Sequence, residues 1–375
     1  MDAQQTNIAP DRYARQRILP GIGTSGQERI RSARVLVVGL GGLGCPSSLY
    51  LAAAGVGVLG LADDDVVDLS NLQRQVLYTE ADVGQPKLER AVEALQARNR
   101  EVRIEPHPQR IVPDTALDIV GRYDLVLDGT DNFATRYLLN DACFFAGVPL
   151  LSASLSRFAA QLSLFDTPAG GPCYRCVFPH MPGPGEIPNC AEAGVLGALP
   201  GMLGSMQALE AIKWITGVGR PPVGTLWQWD ALTLAARSFR FARDPGCPLC
   251  GATPSLTGLH PENYPEACAA PAMSGEAIAP GPAAALSDAL FLDVREAEEW
   301  ALCRLPGAHW IPLGELDARR HELPRDRPLV VYCHHGIRSL HAVRALRQAG
   351  WPQAVNLDGG IERWALEVDP TVPRY

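Results

Sequence analysis

Arg34-Val-Leu-Val-Val-Gly39-Leu-Gly41-Gly42-Leu-Gly44 is the stretch from which the fold is read. Its apolar run is short, β-branched and uncharged after Arg34, as a parallel strand buried on both faces requires, and it ends in a glycine turn. Ser47 to Ala54 then reads as a helix. Glycines at a strand–helix junction let backbone N–H groups and the helix N-terminus approach phosphate oxygens. Working outward, Val58 to Ala62 reads as a second strand ending in Asp63. Pro86 to Arg98 reads as a helix with Leu88, Val92 and Leu95 on one face. Val102 to Glu105 and Asp124 to Asp128 are further strands, and Gly204 to Gly217 is a helix with Gly217 as its cap. Strands alternating with helices predict an α/β, Rossmann-like domain with a mostly parallel sheet.

The chain has 375 residues, too many for one average domain. An apolar content of 47% with 20% charged residues describes globular protein. The net charge of -8 argues against a nucleic-acid binder. The N-terminal residues have no apolar core, and Leu49 to Ala62 falls short of the roughly 20 residues a membrane span needs, so a cytoplasmic protein is expected. Beyond Gly251 the chain is rich in Ala, Pro and Gly. Order resumes at Ala289-Leu-Phe-Leu-Asp293 and Pro328-Leu-Val-Val-Tyr-Cys333, strands of a smaller α/β domain. The expected division is a first domain over 1–251, a linker over 252–272 and a second domain over 273–375.

The glycine loop alone fits an NAD-dependent Rossmann domain as well as an ATP site. Asp63, about 20 residues on, suits ribose hydroxyls in either case. The next residues separate the two readings. Asp68-Leu-Ser70-Asn71-Leu72-Gln73-Arg74-Gln75 and Gly84-Gln-Pro-Lys87 could place Arg74 and Lys87 near a phosphate end. A triphosphate losing pyrophosphate needs such cations, and a dinucleotide does not. Each cation taken singly also reads as a solvated surface residue. Asp131, in Asp128-Gly-Thr-Asp131-Asn132, can hold a Mg²⁺ that bridges phosphates; its alternative is the N-cap of a helix from Phe133.

The ten cysteines are too sparse for a disulfide framework. Cys173-Tyr-Arg-Cys176 and Cys247-Pro-Leu-Cys250 form two C-x-x-C pairs, the ligand set of a structural Zn²⁺. A redox pair is the alternative, but no thioredoxin-like strand precedes either. Cys190 stands alone after the Pro/Gly-rich run Met181-Pro-Gly-Pro-Gly-Glu-Ile-Pro188, where packing explains a cysteine poorly. Cys333 opens Cys333-His-His-Gly336-Ile-Arg338-Ser339 ahead of a helix over Leu340 to Gln348. A helix N-terminus beside Arg338 favours an anionic sulfur, as a cysteine persulfide requires, and a buried strand-end cysteine is the plainer reading. Cys45, Cys143, Cys268 and Cys303 read as small apolar residues.

The runs RYARQ, GLGGLG, DLSNLQRQ, GQPK, LDGTDN, GPCYRC, CAEAGVLG and PGCPLCG occur in this order from about Asp11 to Gly251. Together they resemble the MoeB/ThiF family, ubiquitin-activating-like adenylyltransferases of sulfur-carrier proteins. The resemblance implies that Gly42, Asp63, Ser70, Asn71, Leu72, Gln73, Arg74, Lys87, Asp131 and Asn132 contact ATP and Mg²⁺. It also implies Zn²⁺ on the four paired cysteines. Arg15 resembles an arginine that reaches into a partner subunit's site, which implies a homodimer. Cys190 matches a crossover-loop cysteine that links covalently to the carrier. From about Met273 to Tyr375, Leu292-Asp293-Val-Arg295-Glu296, Leu305-Pro-Gly307-Ala and the Cys333 loop resemble a rhodanese domain. Cys303-Arg-Leu-Pro-Gly-Ala departs from the usual Gly-His-Ile-Pro-Gly-Ala there.

The resemblance implies ATP-dependent adenylation of a small ubiquitin-like carrier ending in Gly-Gly, then sulfur transfer from a Cys333 persulfide to give a thiocarboxylate. A cysteine desulfurase or thiosulfate would supply the sulfur. One rival is a conjugating enzyme that passes a carrier thioester from Cys190 to another protein. The other is a dinucleotide oxidoreductase.

Overall fold

The computed structural model describes residues 11–182, 194–265 and 275–375. The chain separates into two compact units, one running to Tyr264 and the other occupying the C-terminal third.

The first unit is built on an eight-stranded sheet. Its strands are β1 (Arg34–Val38), β2 (Val58–Ala62), β3 (Arg103–His107), β4 (Leu125–Asp128), β5 (Leu150–Ser156), β6 (Ala159–Phe165), β7 (Thr225–Asp230) and β8 (Ala236–Arg240), in spatial order β3-β2-β1-β4-β5-β6-β7-β8. The pairs from β3 through to β5 are parallel, as the alternating pattern predicts. The pairs β5–β6, β6–β7 and β7–β8 are antiparallel, an extension the sequence reading does not anticipate. β1 is almost wholly buried because helices cover both faces of the sheet.

The helix behind the glycine loop spans Gly44–Ala54, three residues longer at its start than expected. The helix expected from Gly204 begins earlier, at Ala198, and ends at Thr216, with Gly217 as a left-handed cap. This long helix lies against the Gly44–Ala54 helix so closely that a Cβ on Gly204 would stand 2.3 Å from the Leu43 carbonyl oxygen.

Part of the expected linker over 252–272 belongs to this unit. Tyr264 is buried, and its hydroxyl donates to Asp141 Oδ2 at 2.8 Å. The same carboxylate receives Arg175 Nη2 at 2.8 Å. A Pro/Ala/Gly-rich composition does not reveal that one tyrosine pins the segment to a buried ion pair.

The second unit has five parallel strands: β9 (Ala277–Ile278), β10 (Leu290–Asp293), β11 (His309–Trp310), β12 (Leu329–Tyr332) and β13 (Ala354–Leu357), ordered β11-β10-β12-β13-β9. Helices Ile337–Gln348 and Gly360–Glu367 bury their apolar sides, through Ala342, Val343 and Leu346 and through Ile361, Trp364 and Ala365. Among the described residues, no helix is long and apolar enough to cross a membrane.

Candidate active sites

Strand register collects the nucleotide-site candidates. Val38 pairs with Ala62 on one side and Asp128 on the other, so β1, β2 and β4 end together and release Gly39, Asp63 and Gly129 at one edge. The turn must be glycine where it tightens: Gly39 has φ +85°, and a Cβ on Gly44 would stand 1.8 Å from the Gly39 carbonyl oxygen. Asp63 Oδ2 accepts from Leu40 N at 2.6 Å, and its other oxygen accepts from Asp65 N at 2.9 Å. Burial raises the Asp63 carboxyl against these two bonds. A Cβ on Gly42 would meet Pro200 at 3.1 Å and the Arg74 chain at 3.5 Å, which puts Arg74 beside the loop. Arg74 Nη1 donates to the Ser70 carbonyl at 3.0 Å, and Asp68 with Asn71 caps the short turn that carries Ser70. Lys87 is buried and its Nζ lies 2.9 Å from Asp65 Oδ2.

At the end of β4 the two carboxylates divide the work. Asp128 is fully buried and accepts from Thr130 N, Ser152 Oγ and Arg136 Nε, the last at 2.8 Å. Such a saturated carboxylate has little left for a metal. Asp131 is exposed and has no hydrogen bond or ion pair among the described residues. The N-cap of the helix Phe133–Ala146 is Asn132, whose Oδ1 accepts from Thr135 N at 2.8 Å, so the capping alternative for Asp131 is set aside.

The four paired cysteines converge, with their sulfurs all within 4.8 Å of one another. Cys173 and Cys176 flank a single turn after β6, and Cys247 and Cys250 lie beyond β8, so the cluster ties the two strand exits together. Adjacent sulfurs are 3.3–3.9 Å apart. A tetrahedron with 2.3 Å zinc–sulfur bonds needs about 3.8 Å between sulfurs. Hydrogen bonding from Cys173 draws the Cys176 thiol below its ordinary value, in the direction a thiolate ligand requires. The donor set and its spacing fit Zn²⁺.

In the second unit, β10 and β12 end side by side, with Asp293 paired to Tyr332, so Arg295 and Cys333 leave the same sheet edge. Cys333 is fully buried, as the strand-end reading expects, but its sulfur is enclosed by its own loop. It accepts from Gly336 N at 3.1 Å and Ser339 Oγ at 3.3 Å. The helix behind it starts at Ile337, not Leu340, which brings the N-terminus to the sulfur. The backbone after β13 braces the loop: Ile361 N donates to the Cys333 carbonyl at 2.9 Å and Glu362 N to that of His334 at 3.1 Å. A side chain on Gly360, φ +61°, would strike both carbonyls.

Comparison with known proteins finds two family domains in the chain. The ThiF family matches residues 13–249, and the rhodanese-like domain matches residues 282–367. The chain belongs to the ThiF family. It is 43% identical to the Mycobacterium tuberculosis protein named probable adenylyltransferase/sulfurtransferase MoeZ, over 97% of this chain and 95% of that one. Identity to the Bos taurus adenylyltransferase and sulfurtransferase MOCS3 is also 43%, over 97% and 87%. A Thermus thermophilus sulfur carrier protein adenylyltransferase is 50% identical over 66% of this chain and 93% of its own. Among solved structures, Escherichia coli MccB aligns with a TM-score of 0.59 at 25% identity, over 68% of this chain and 76% of that one.

The ThiF domain thus brings Gly42, Asp63, Arg74, Lys87, Asp131 and Asn132 to one edge, with Ser70, Asn71, Leu72 and Gln73 on the adjoining turn. Arg15 is not among them. Its helix, Ala14–Arg17, is tied by Gln16 Nε2 to the Ala54 carbonyl at 3.1 Å, the far end of the helix that starts at the glycine loop. Eleven residues of helix put about 16 Å between those ends. Arg338 also departs from expectation: both terminal nitrogens bind Glu299 at 2.7 Å, so its charge is answered by a carboxylate. Cys190 and Cys268 lie outside the described residues, and Cys45, Cys143 and Cys303 are buried. The sequence reading missed Asp65, Glu299 and Tyr375, each of which matters only through a partner distant in the chain.

Proposed function

We propose that the chain adenylates the C-terminal glycine of a small ubiquitin-like sulfur carrier ending in Gly-Gly and then converts it to a thiocarboxylate with sulfur held on Cys333. The observation that carries this reading is the union, in one chain, of a ThiF nucleotide edge with an exposed carboxylate and a rhodanese-like loop with an enclosed cysteine sulfur. The relatives named adenylyltransferase and sulfurtransferase support both halves.

ATP sits at the ThiF edge, with Asp63 toward the ribose and the turn Ser70–Arg74 and Lys87 toward the phosphates. Asp131 is the residue that would hold Mg²⁺, which would offset charge on the phosphate oxygens. The carrier carboxylate attacks the α-phosphorus, pyrophosphate leaves, and Arg74 and Lys87 stabilise the charge that builds on it. Lys87 does so by exchanging its exposed partner Asp65 for phosphate. Arg15 acts on the other subunit's site in a homodimer, in keeping with its distance from its own. The outer sulfur of a Cys333 persulfide then attacks the acyl carbon and AMP leaves. A thiol breaks the resulting S–S bond to release the thiocarboxylate, the part proposed for Cys190, and an external thiol returns both cysteines to the reduced state. The persulfide comes from a cysteine desulfurase or thiosulfate. Cys173, Cys176, Cys247 and Cys250 would hold Zn²⁺ as a structural clip.

Asp131→Ala tests the nucleotide half. Carrier-dependent ATP–pyrophosphate exchange should fall by about 10²–10³, with thiosulfate sulfurtransferase activity unchanged. Wild-type exchange in the variant would remove Asp131 from the reaction.

A further inference from the structure

Two buried ion pairs flank the Cys333 loop, and one side chain touches both. Arg295 is held by Asp293, with Nη2 at 2.6 Å from Oδ2, and neither side chain has any exposure. Arg338 is held by Glu299. The Tyr375 hydroxyl accepts from Arg295 Nη1 at 2.7 Å and donates to Glu299 Oε1 at 3.0 Å. Its ring lies parallel to that of His334, with 4.3 Å between centroids and 7° between planes. His335 stacks on the same imidazole at 3.9 Å. His334 directly follows Cys333, and its two ring nitrogens have no hydrogen bond among the described residues; Glu362 Oε2 stands 3.8 Å away. Stacking, then, is what fixes this ring.

We propose that Tyr375 is a positioning residue for sulfur transfer: by joining the two ion pairs and stacking on His334, it holds the Cys333 loop in the conformation that presents the sulfur. The proposal rests on Cys333 as the sulfur-bearing residue. The outer sulfur of a persulfide lies one S–S bond, about 2 Å, beyond Sγ. A small rotation of the loop therefore moves the reacting atom by a large fraction of the distance over which attack is productive. Loss of the hydroxyl leaves Arg295 and Glu299 each short of a partner, and loss of the ring also uncovers His334. The groups facing that imidazole are His335, Glu362, Glu299, Arg295 and Tyr375. Burial first, then His335, holds it down to about 4, against Glu362 and Glu299.

The test uses the full chain with Tyr375→Phe and Tyr375→Ala, thiosulfate as donor and cyanide as acceptor. Reactive Cys333 is counted by iodoacetamide labelling and mass spectrometry, so that turnover is expressed per competent site. Tyr375→Ala should lower kcat by about tenfold or more with little change in KM for thiosulfate, and Tyr375→Phe should lie between it and the wild type. By NMR, the His334 titration midpoint should climb from about 4 toward its ordinary range in the Ala variant and stay low in the Phe variant. Wild-type turnover per reactive Cys333 in both variants, with only the yield of folded protein reduced, would overturn the proposal. Should the Ala variant fail to fold, wild-type kcat in the Phe variant overturns it equally. Sulfur transfer that survives Cys333→Ser would sink the underlying reading instead, a separate result.

Discussion

The nucleotide edge of the ThiF domain and the sulfur loop of the rhodanese-like domain are assembled from the same parts: a parallel strand, a tight glycine-containing turn and a helix N-terminus. They treat charge in opposite ways. At the first, Asp131 is exposed with no partner among the described residues, Arg74 rests on a backbone carbonyl, and the carboxylate paired with Lys87 is 71% exposed. At the second, Arg295 and Arg338 each have a buried carboxylate partner, and among the described residues the Cys333 sulfur receives only an N–H and a hydroxyl. A site that receives a polyanion from solvent keeps its charges available to be claimed. A site that carries its own covalent sulfur uses charge to fix the loop. The first unit adds a four-cysteine cluster to its buried pairs Arg136–Asp128 and Arg175–Asp141, whereas the second has buried ion pairs and, among the described residues, no such cluster.

The largest effect that sharpens this contrast is expected from the cluster. Cys250→Ser should remove about one Zn²⁺ per chain and cost the ThiF domain several kcal/mol, with sulfurtransferase activity retained. Metal analysis and denaturant unfolding read both. A metal-free protein of full stability would remove zinc from the account. Next in size, Glu299→Ala removes a buried, doubly bonded carboxylate from Arg338 and should cost the rhodanese-like domain about 3–5 kcal/mol, while ATP–pyrophosphate exchange continues. A cost below about 1 kcal/mol would show the pair to be dispensable. The smallest is a pH effect. Folded His334 stays neutral down to about 4, whereas the unfolded chain takes up the proton near 6.5. Stability of this domain is therefore full above pH 6.5 and falls by about 3 kcal/mol as pH drops to 4. His334→Gln should flatten that decline, and an unchanged slope would mean other groups cause it.

The sequence disclosed whatever is local. The β1 run, the glycines behind it and the two C-x-x-C pairs announce themselves because strand burial, turn geometry and metal chelation each impose a short-range pattern. Asp131 was singled out by its strand-end position and the family resemblance; the fold adds why Asp128 is not the candidate, since Arg136, Thr130 and Ser152 consume its carboxylate. Arg338 looked like a partner for the thiol because it lies five positions after Cys333 in the same loop and no acidic residue lies between them. Glu299, 39 positions earlier, takes its charge across the sheet edge. Tyr264 and Tyr375 were invisible for the same reason, since each acts through an ion pair assembled from distant segments. Ser and Gln interrupt the largely buried strands β5 and β6, and β7 and β8 carry mixed polar and apolar residues on partly or fully exposed surfaces, so no continuous apolar run marked them.

The central claim is that adenylation and sulfur delivery are separate chemistries meeting on one carrier. Mass spectrometry of the carrier after incubation with ATP, a persulfide donor and either the wild type or Cys333→Ser tests it most directly. With the wild type, the carrier should gain the mass of one sulfur in place of one oxygen. With Cys333→Ser, ATP–pyrophosphate exchange should persist and that mass gain should be absent. Thiocarboxylate formed by Cys333→Ser at the wild-type rate would contradict the account and make the rhodanese-like domain a bystander.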